Sequence, residues 1–329
     1  MSCRILLTHD AEALQYWYGE RALAGLAQLG EPVVCPERQW SREALLHEAR
    51  DCQLIVADRA TPVPAELIEA GAELRAVVRC AMDIRTIDVE TASRRGVLVT
   101  HAGPGFVQAV SEWVVAQLIN LARGLPDYTL AWRGGETPRP VMGRQLAGLT
   151  AGVLGLGHIG RYLTPMLRAL GMQVLIHDPG VTVPPECGEA VSRETLLARA
   201  DAVICLAAHT RETEGMMDHS AFAAMKPGSW FINAARGALV DERALQQALN
   251  EGPLAGAALD VGSGEGDVPA AALAAMPGVL ATPHIGGMVP EAIEYQALQT
   301  VEQVRRILRG EVPDGAVNAD SVTLHPIDS

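Results

Sequence analysis

The sequence predicts an α/β protein built as two successive parallel-sheet units, the second of them a dinucleotide-binding unit. Three observations predict it. Strand-like and helix-like patterns alternate almost throughout, which implies parallel sheets with helices on both faces. A glycine turn, Gly155-Leu156-Gly157-His158-Ile159-Gly160, sits near the middle of the chain, between an apolar run and a helical pattern. A complete alternating series already precedes it. With 329 residues, 49% of them hydrophobic and 20% charged, the chain is long enough for two well-buried cores.

The first series reads as strands near Arg4–Thr8, Pro32–Val34, Gln53–Ala57, Leu74–Arg79 and Val97–Thr100. Helical stretches lie between them at Ala11–Leu29, Ser41–Ala49 and Asp88–Arg95. Gln108–Arg123 has the apolar spacing of a long amphipathic helix, and Gly134–Pro140 is a breaker-rich loop. The second series has strands at Ala151–Leu154, Met172–His177, Ala202–Leu206, Ser229–Asn233, Ala255–Leu259 and Val279–Leu280. A last helical pattern, Pro290–Leu308, stops before Gly310, and the polar tail from Asp314 is expected to be irregular.

At the glycine turn each glycine has a physical reason. The first makes the strand-to-helix turn, the second lets backbone approach a pyrophosphate, and the third lets helix and strand pack closely. The helix N-terminus then offers unpaired N–H groups to phosphate. The next strand ends at Asp178, eighteen residues past Gly160. An acid there accepts both hydroxyls of an adenosine ribose and repels a 2′-phosphate, so NAD is expected over NADP.

Bulk properties exclude several classes. A net charge of −13 argues against a nucleic-acid surface. No run of 18 or more apolar residues exists to span a membrane. The opening Met1–Asp10 segment is expected to be a first strand, its apolar core being too short for a secretory signal. Six scattered cysteines without a C-x-x-C pair are expected to be reduced thiols of a cytoplasmic protein. Nine histidines form no H-x-x-x-H set, so no metal is expected.

Ligands of an open parallel sheet bind outside the carboxyl ends of its strands. Arg236 follows the strand Ser229–Asn233, Asp260 and Glu265 follow the next, and His284 follows the short last one. Singly, each reads as a surface charge or a structural side chain. Their shared edge with the glycine turn makes them the candidate chemistry.

On these residues the chain resembles the D-isomer-specific 2-hydroxyacid dehydrogenases, a family that includes phosphoglycerate, glycerate and D-lactate dehydrogenases. The matching segments are Val153–Gly160, Met225–Gly228, Phe231–Glu242, Ala258–Val261 and Thr282–Gly287, and the match covers essentially the whole chain. The resemblance implies two Rossmann-like domains, with an NAD-binding domain at 101–288 inserted into a substrate domain of 1–100 plus 289–329. It implies NAD contacts from Gly155, Gly157, His158, Ile159, Gly160, Asp178, Ala234, Arg236, Asp260, His284 and Gly286. Arg236 would hold the substrate carboxylate and 2-oxo oxygen, a task suited to a guanidinium fork. His284 would be the acid/base. Glu265 would hydrogen-bond its imidazole and favour the charged form. The implied reaction is hydride transfer between NAD(H) and a D-2-hydroxy acid/2-oxo acid pair. The alternative is an NAD(H)-sensing binding protein of corepressor type on the same fold. A homodimer is implied, with Gln108–Arg123 as the interface helix.

The chain departs from the family pattern at the substrate loop, where Ala81-Met82-Asp83 replaces the Gly-x-Gly that cradles the substrate carboxylate. Either Asp83 caps a local turn, or Asp83 with Arg79 or Arg85 reads a polar or cationic substituent. After Glu265 the usual Pro is absent and Gly266-Asp267 intervene, so a more mobile loop is expected there. Trp113 reads as core packing or as a residue near the domain interface, and His209 as a surface turn or the cofactor edge.

Overall fold

The computed structural model describes residues 3–35 and 38–327, so the first two residues of the opening segment and the last two of the tail lie outside it. The chain divides into two compact units. One comprises the chain up to Gly105 together with the segment from Val289 onward, and the other is Phe106–Met288.

In the first unit five strands, β1 (Arg4–Leu7), β2 (Glu31–Val33), β3 (Leu54–Ala57), β4 (Ala76–Arg79) and β5 (Leu98–His101), form a sheet in the order β2-β1-β3-β4-β5. Every neighbouring pair is parallel. β3 and β4 are buried along their whole length, as strands covered on both faces must be. Apolar clusters pack on each face. The helix Pro290–Leu308 rejoins this unit through Ala297, Val301 and Val304, an i, i+4, i+7 stripe that packs with Leu26 and Val78.

Two expectations are corrected here. Ala11–Leu29 is not one helix. A single turn at Ala11–Ala13 widens into a π-helical turn at Leu14–Tyr18, Gly19 reverses at φ +85°, and a new helix runs Glu20–Ala27. The widened turn buries Tyr18, whose ring lies 4.8 Å from that of His9 and whose hydroxyl is 2.8 Å from Thr300 Oγ1. Nor does the described tail wander. Asn318 accepts the Val99 N–H at 2.8 Å and donates to the Val97 carbonyl at 2.9 Å and Ser93 Oγ at 3.0 Å, fastening the tail along the edge of β5. Ala316 adds an antiparallel bridge to Thr100.

The second unit has seven strands: β6 (Thr150–Leu154), β7 (Gln173–His177), β8 (Glu189–Ala190), β9 (Ala202–Cys205), β10 (Ser229–Asn233), β11 (Leu254–Leu259) and β12 (Val279–Ala281). Their order is β12-β11-β10-β9-β6-β7-β8, again with every pair parallel. The order reverses between β6 and β9, the position where open α/β sheets bind ligands. β8 has no sequence signature, since two exposed residues carry no periodicity. The helix Leu125–Arg133, directly after Gly124 at φ +61°, also lacks one, because it buries no residue of its own. The helix Val107–Arg123 buries Ala109, Val110, Trp113, Val114, Leu118 and Ala122. Its apolar face is largely consumed inside its own unit, which leaves little of it for the expected interface. No helix among the described residues is long and apolar enough to cross a membrane.

Asp201, at the start of β9, gathers three neighbours. Its carboxylate accepts from Thr150 N at 2.9 Å, Arg144 Nη2 at 2.9 Å and Lys226 Nζ at 2.8 Å. Desolvation opposes ionisation, and the Lys226, Thr150 and Arg144 donors outweigh it, so its pKa lies below the usual value. A depressed folded pKa contributes stability above the unfolded value of about 3.9, and loses it as pH falls through the folded one. Asp201→Asn is therefore expected to lower unfolding stability by about 1–3 kcal/mol at pH 7. In urea titrations the gap from the parent should narrow below about pH 4, and a gap independent of pH would contradict this.

Candidate active site

The carboxyl end of β6 turns at Gly155, which lies at φ +98° and donates its N–H to the His177 carbonyl at 3.0 Å. A side chain there would press on the backbone of Ala207 at 2.8 Å. A Cβ on Gly160 would press on the Gly155 carbonyl, so helix and turn approach as closely as glycine permits. Gly157 differs: a Cβ on it would meet nothing within 4 Å. It opens the helix His158–Ala169 with no side-chain cap, which leaves N–H groups and the positive end of the helix dipole facing open space. His158 is exposed and Ile159 half-buried beside it. Asp178, after β7, accepts the Leu156 N–H at 2.7 Å and the Gly180 N–H at 3.0 Å, so the acid is fixed to the turn itself. This arrangement fits a dinucleotide, with room at the second glycine, unpaired donors for phosphate and a carboxylate for the ribose.

Three further loops leave the same edge. After β10, Asn233 shapes the turn by accepting the Ala235 N–H at 3.1 Å and donating to the Arg236 carbonyl at 3.0 Å. Ala234 is half-buried in that turn. Arg236 emerges half-exposed, its Nη1 donating to the Ala235 carbonyl at 2.6 Å. After β11 the buried carboxylate of Asp260 accepts from Thr282 Oγ1 at 2.6 Å, Ile285 N at 2.8 Å and Gly286 N at 2.7 Å. Asp260 thereby shapes the loop that carries His284. The His284 N–H closes the same turn on the Asp260 carbonyl at 2.9 Å.

The loop from Gly262 to Val268 lies against both. Its Gly262 carbonyl is so close to Gly237 that no side chain fits there. Asp267 accepts the Gly237 N–H at 3.1 Å and stands 3.8 Å from Arg236 Nε. The Gly266 carbonyl lies 3.4 Å from His284 Nδ1. Among the described residues no hydrogen bond or ion pair joins Glu265 to His284; the exposed Glu265 side chain sits on the loop whose backbone meets the ring. The loop is tied down by Gly262 N to the Asp267 carbonyl, Gly264 N to the Val268 carbonyl, and Ser263 N to Glu242 Oε1 at 2.9 Å. The two non-glycine residues with positive φ among those described, Asp267 at +63° and His284 at +57°, both belong to this cluster. Such backbone strain concentrates at functional sites. Neither Asp267 nor Asn233 stands out in the sequence as a site residue. Asp267 had one signal, an acid standing where the family pattern has no such requirement.

In the first unit the loop after β4 holds Ala81 buried and Met82 partly exposed. Asp83 accepts the Arg85 N–H at 3.0 Å and is gripped by the Arg85 guanidinium, with Nη2 to Oδ2 at 2.6 Å. Those guanidinium bonds, against some desolvation, pull its carboxyl down to about 2. Asp83 therefore caps a local turn and is neutralised in place. Among the described residues the N–H groups of Ala81, Met82 and Asp83 find no protein acceptor. Arg79 is fully buried and holds the Asp58 and Thr61 carbonyls and Thr86 Oγ1, so it serves the fold. Trp113 is core, in the cluster with Leu163 and Ile232, and His209 is exposed.

Residues 115–286 match the family model described as D-isomer specific 2-hydroxyacid dehydrogenase, NAD binding domain. The D-3-phosphoglycerate dehydrogenase of Methanocaldococcus jannaschii is 32% identical over 92% of this chain. The chain spans 58% of that relative's length. The (S)-sulfolactate dehydrogenase of Chromohalobacter salexigens is 37% identical over 81% of this chain and 88% of its own. Among solved structures, the TT0316 protein of Thermus thermophilus superposes with a TM-score of 0.83 at 31% identity, covering 95% of this chain and 99% of that one.

The glycine turn yields a paired expectation. Gly157→Ala should raise the dissociation constant for NADH by about tenfold or more while leaving the melting temperature near the parent's, because the added methyl meets only the ligand. Gly160→Ala should instead lower the melting temperature, because its methyl meets the Gly155 carbonyl. Fluorescence titration with NADH and thermal melts read both; unchanged NADH affinity in Gly157→Ala would contradict the placement.

Proposed function

Because the chain belongs to the D-isomer-specific 2-hydroxyacid dehydrogenase family, we propose that it interconverts a D-2-hydroxy acid and its 2-oxo acid with NAD as cofactor. One observation carries this reading. Arg236, the Glu265 loop and His284 leave the same strand edge as the dinucleotide turn, and hydrogen bonds join their loops. Bound NAD supplies the hydride acceptor or donor.

The residues of the chain do the rest. Arg236 holds the substrate carboxylate and polarises the 2-oxo oxygen with N–H groups that the protein leaves free. The Gly266 carbonyl favours the neutral imidazole tautomer with its proton on Nδ1, which leaves Nε2 to give or take the substrate proton. Glu265, exposed on the same loop, is the acid assigned to the imidazole in this reading. Asp178 selects NAD over NADP by charge.

The functional form is a homodimer joined through the segment after Gly124, where Leu125, Leu130, Trp132, Val141 and Met142 are exposed large apolar side chains. Tyr128 clamps the segment by accepting the Val141 N–H at 2.7 Å. The free thiols suit a reducing cytoplasm.

His284→Ala should lower kcat for NADH-dependent reduction of a 2-oxo acid by at least about 10²-fold with NADH binding retained. Full activity in that variant would remove the acid/base assignment. Light scattering should find a dimer for the parent and a monomer for Trp132→Glu with Met142→Glu; a monomeric parent would contradict the dimer.

A further inference from the structure

We infer that Asp267 is a positioning residue: it grips the Nε side of Arg236 so that the remaining edge of the guanidinium is presented to the substrate carboxylate. The inference rests on the reading of Arg236 as the carboxylate holder. Four observations carry it. Asp267 Oδ2 stands 3.8 Å from Arg236 Nε, and Asp267 Oδ1 accepts the N–H of Gly237, the next residue along, at 3.1 Å. The carboxylate is thus fixed to the backbone of the segment whose side chain it steers. Asp267 is itself held, donating its N–H to the Gly264 carbonyl at 3.0 Å and accepting Gly262 N at 3.1 Å. It does this at φ +63°, a conformation that most residues avoid, so the loop is bent around this residue. Finally, Arg236 Nη1 donates to the Ala235 carbonyl at 2.6 Å. With Nε beside the Asp267 carboxylate and one Nη1 N–H on the Ala235 carbonyl, the other Nη1 N–H and both on Nη2 remain for a ligand.

Charge alone does not explain the acid. A carboxylate beside the cation weakens its pull on an anionic substrate. What it gains is order: a half-exposed arginine has several rotamers of similar energy, and a carboxylate at Nε selects one of them. The same loop presents the Gly266 carbonyl to His284, so orientation of the acid/base and of the carboxylate holder share one support.

Asp267→Asn separates position from folding. Asn tolerates positive φ and its amide oxygen still accepts the Gly237 N–H, while the ionic grip on Arg236 is lost. The KM for the 2-oxo acid should rise by about five- to tenfold, with kcat within about twofold and the KM for NADH and the melting temperature unchanged. In an Arg236→Lys background, where no Nε exists to grip, the same change should cost less than about twofold. Three results would overturn the inference: an unaltered KM in Asp267→Asn, an equal loss in both backgrounds, or a fall in kcat and melting temperature with KM unchanged. The two readings fail separately. If Arg236→Lys alone leaves the KM for the 2-oxo acid unchanged, the role of Arg236 falls and Asp267 falls with it. If Arg236→Lys raises that KM and Asp267→Asn does not, only the positioning role is lost.

Discussion

The common direction of the strands is the constraint on which the rest depends. In an all-parallel sheet every strand delivers its carboxyl end to one edge. Residues far apart in sequence, Gly155, Asp178, Arg236, Asp260 and His284, are therefore gathered without any contact between their parent segments being specified in advance. The chain adds short range to that long-range order. Asp178 bonds the glycine turn, Asn233 bonds its own turn, and Asp260 bonds the His284 loop. Each is a carboxylate or amide at or just past a strand end, and each accepts backbone N–H groups that would otherwise be unsatisfied.

Above that edge the loop from Gly262 to Val268 is the local support of the chemistry. It reaches Arg236 through Asp267 and His284 through the Gly266 carbonyl. Two residues accept positive φ to make this possible, and the surrounding hydrogen bonds hold them there. Backbone bonds and Glu242 close this loop, in which Gly266 and Asp267 stand where the usual proline is absent. Gly266 at φ +79° and Asp267 at φ +63° make its bend.

Much of the fold was legible because buried parallel strands are continuous apolar runs. Leu54–Ala57, Ala76–Arg79 and Ser229–Asn233 stand out on that ground, and Pro290–Leu308 announces itself by its stripe and its glycine stop. The elements that escaped lack such a signal. The break at Gly19 follows from where Tyr18 must go to meet Thr300, a partner 282 residues away. The tail is fastened to β5 by Asn318 and by the bridge from Ala316, which composition cannot announce. At the site, the residue types and their order were readable, but the bond geometry was not. That Asp83 is matched by Arg85, and that Asp267 faces Arg236, depends on loop conformations with no periodicity.

Stereospecific hydride transfer on a 2-hydroxy acid is the chemistry we propose for this edge. Its most direct measurement is chiral chromatography of the product formed from a panel of 2-oxo acids, hydroxypyruvate and pyruvate among them, with NADH and the purified protein. D-2-hydroxy acid is expected to form in step with NADH consumption. Formation of the L enantiomer, or tight NADH binding with no product from any member of the panel, would contradict it.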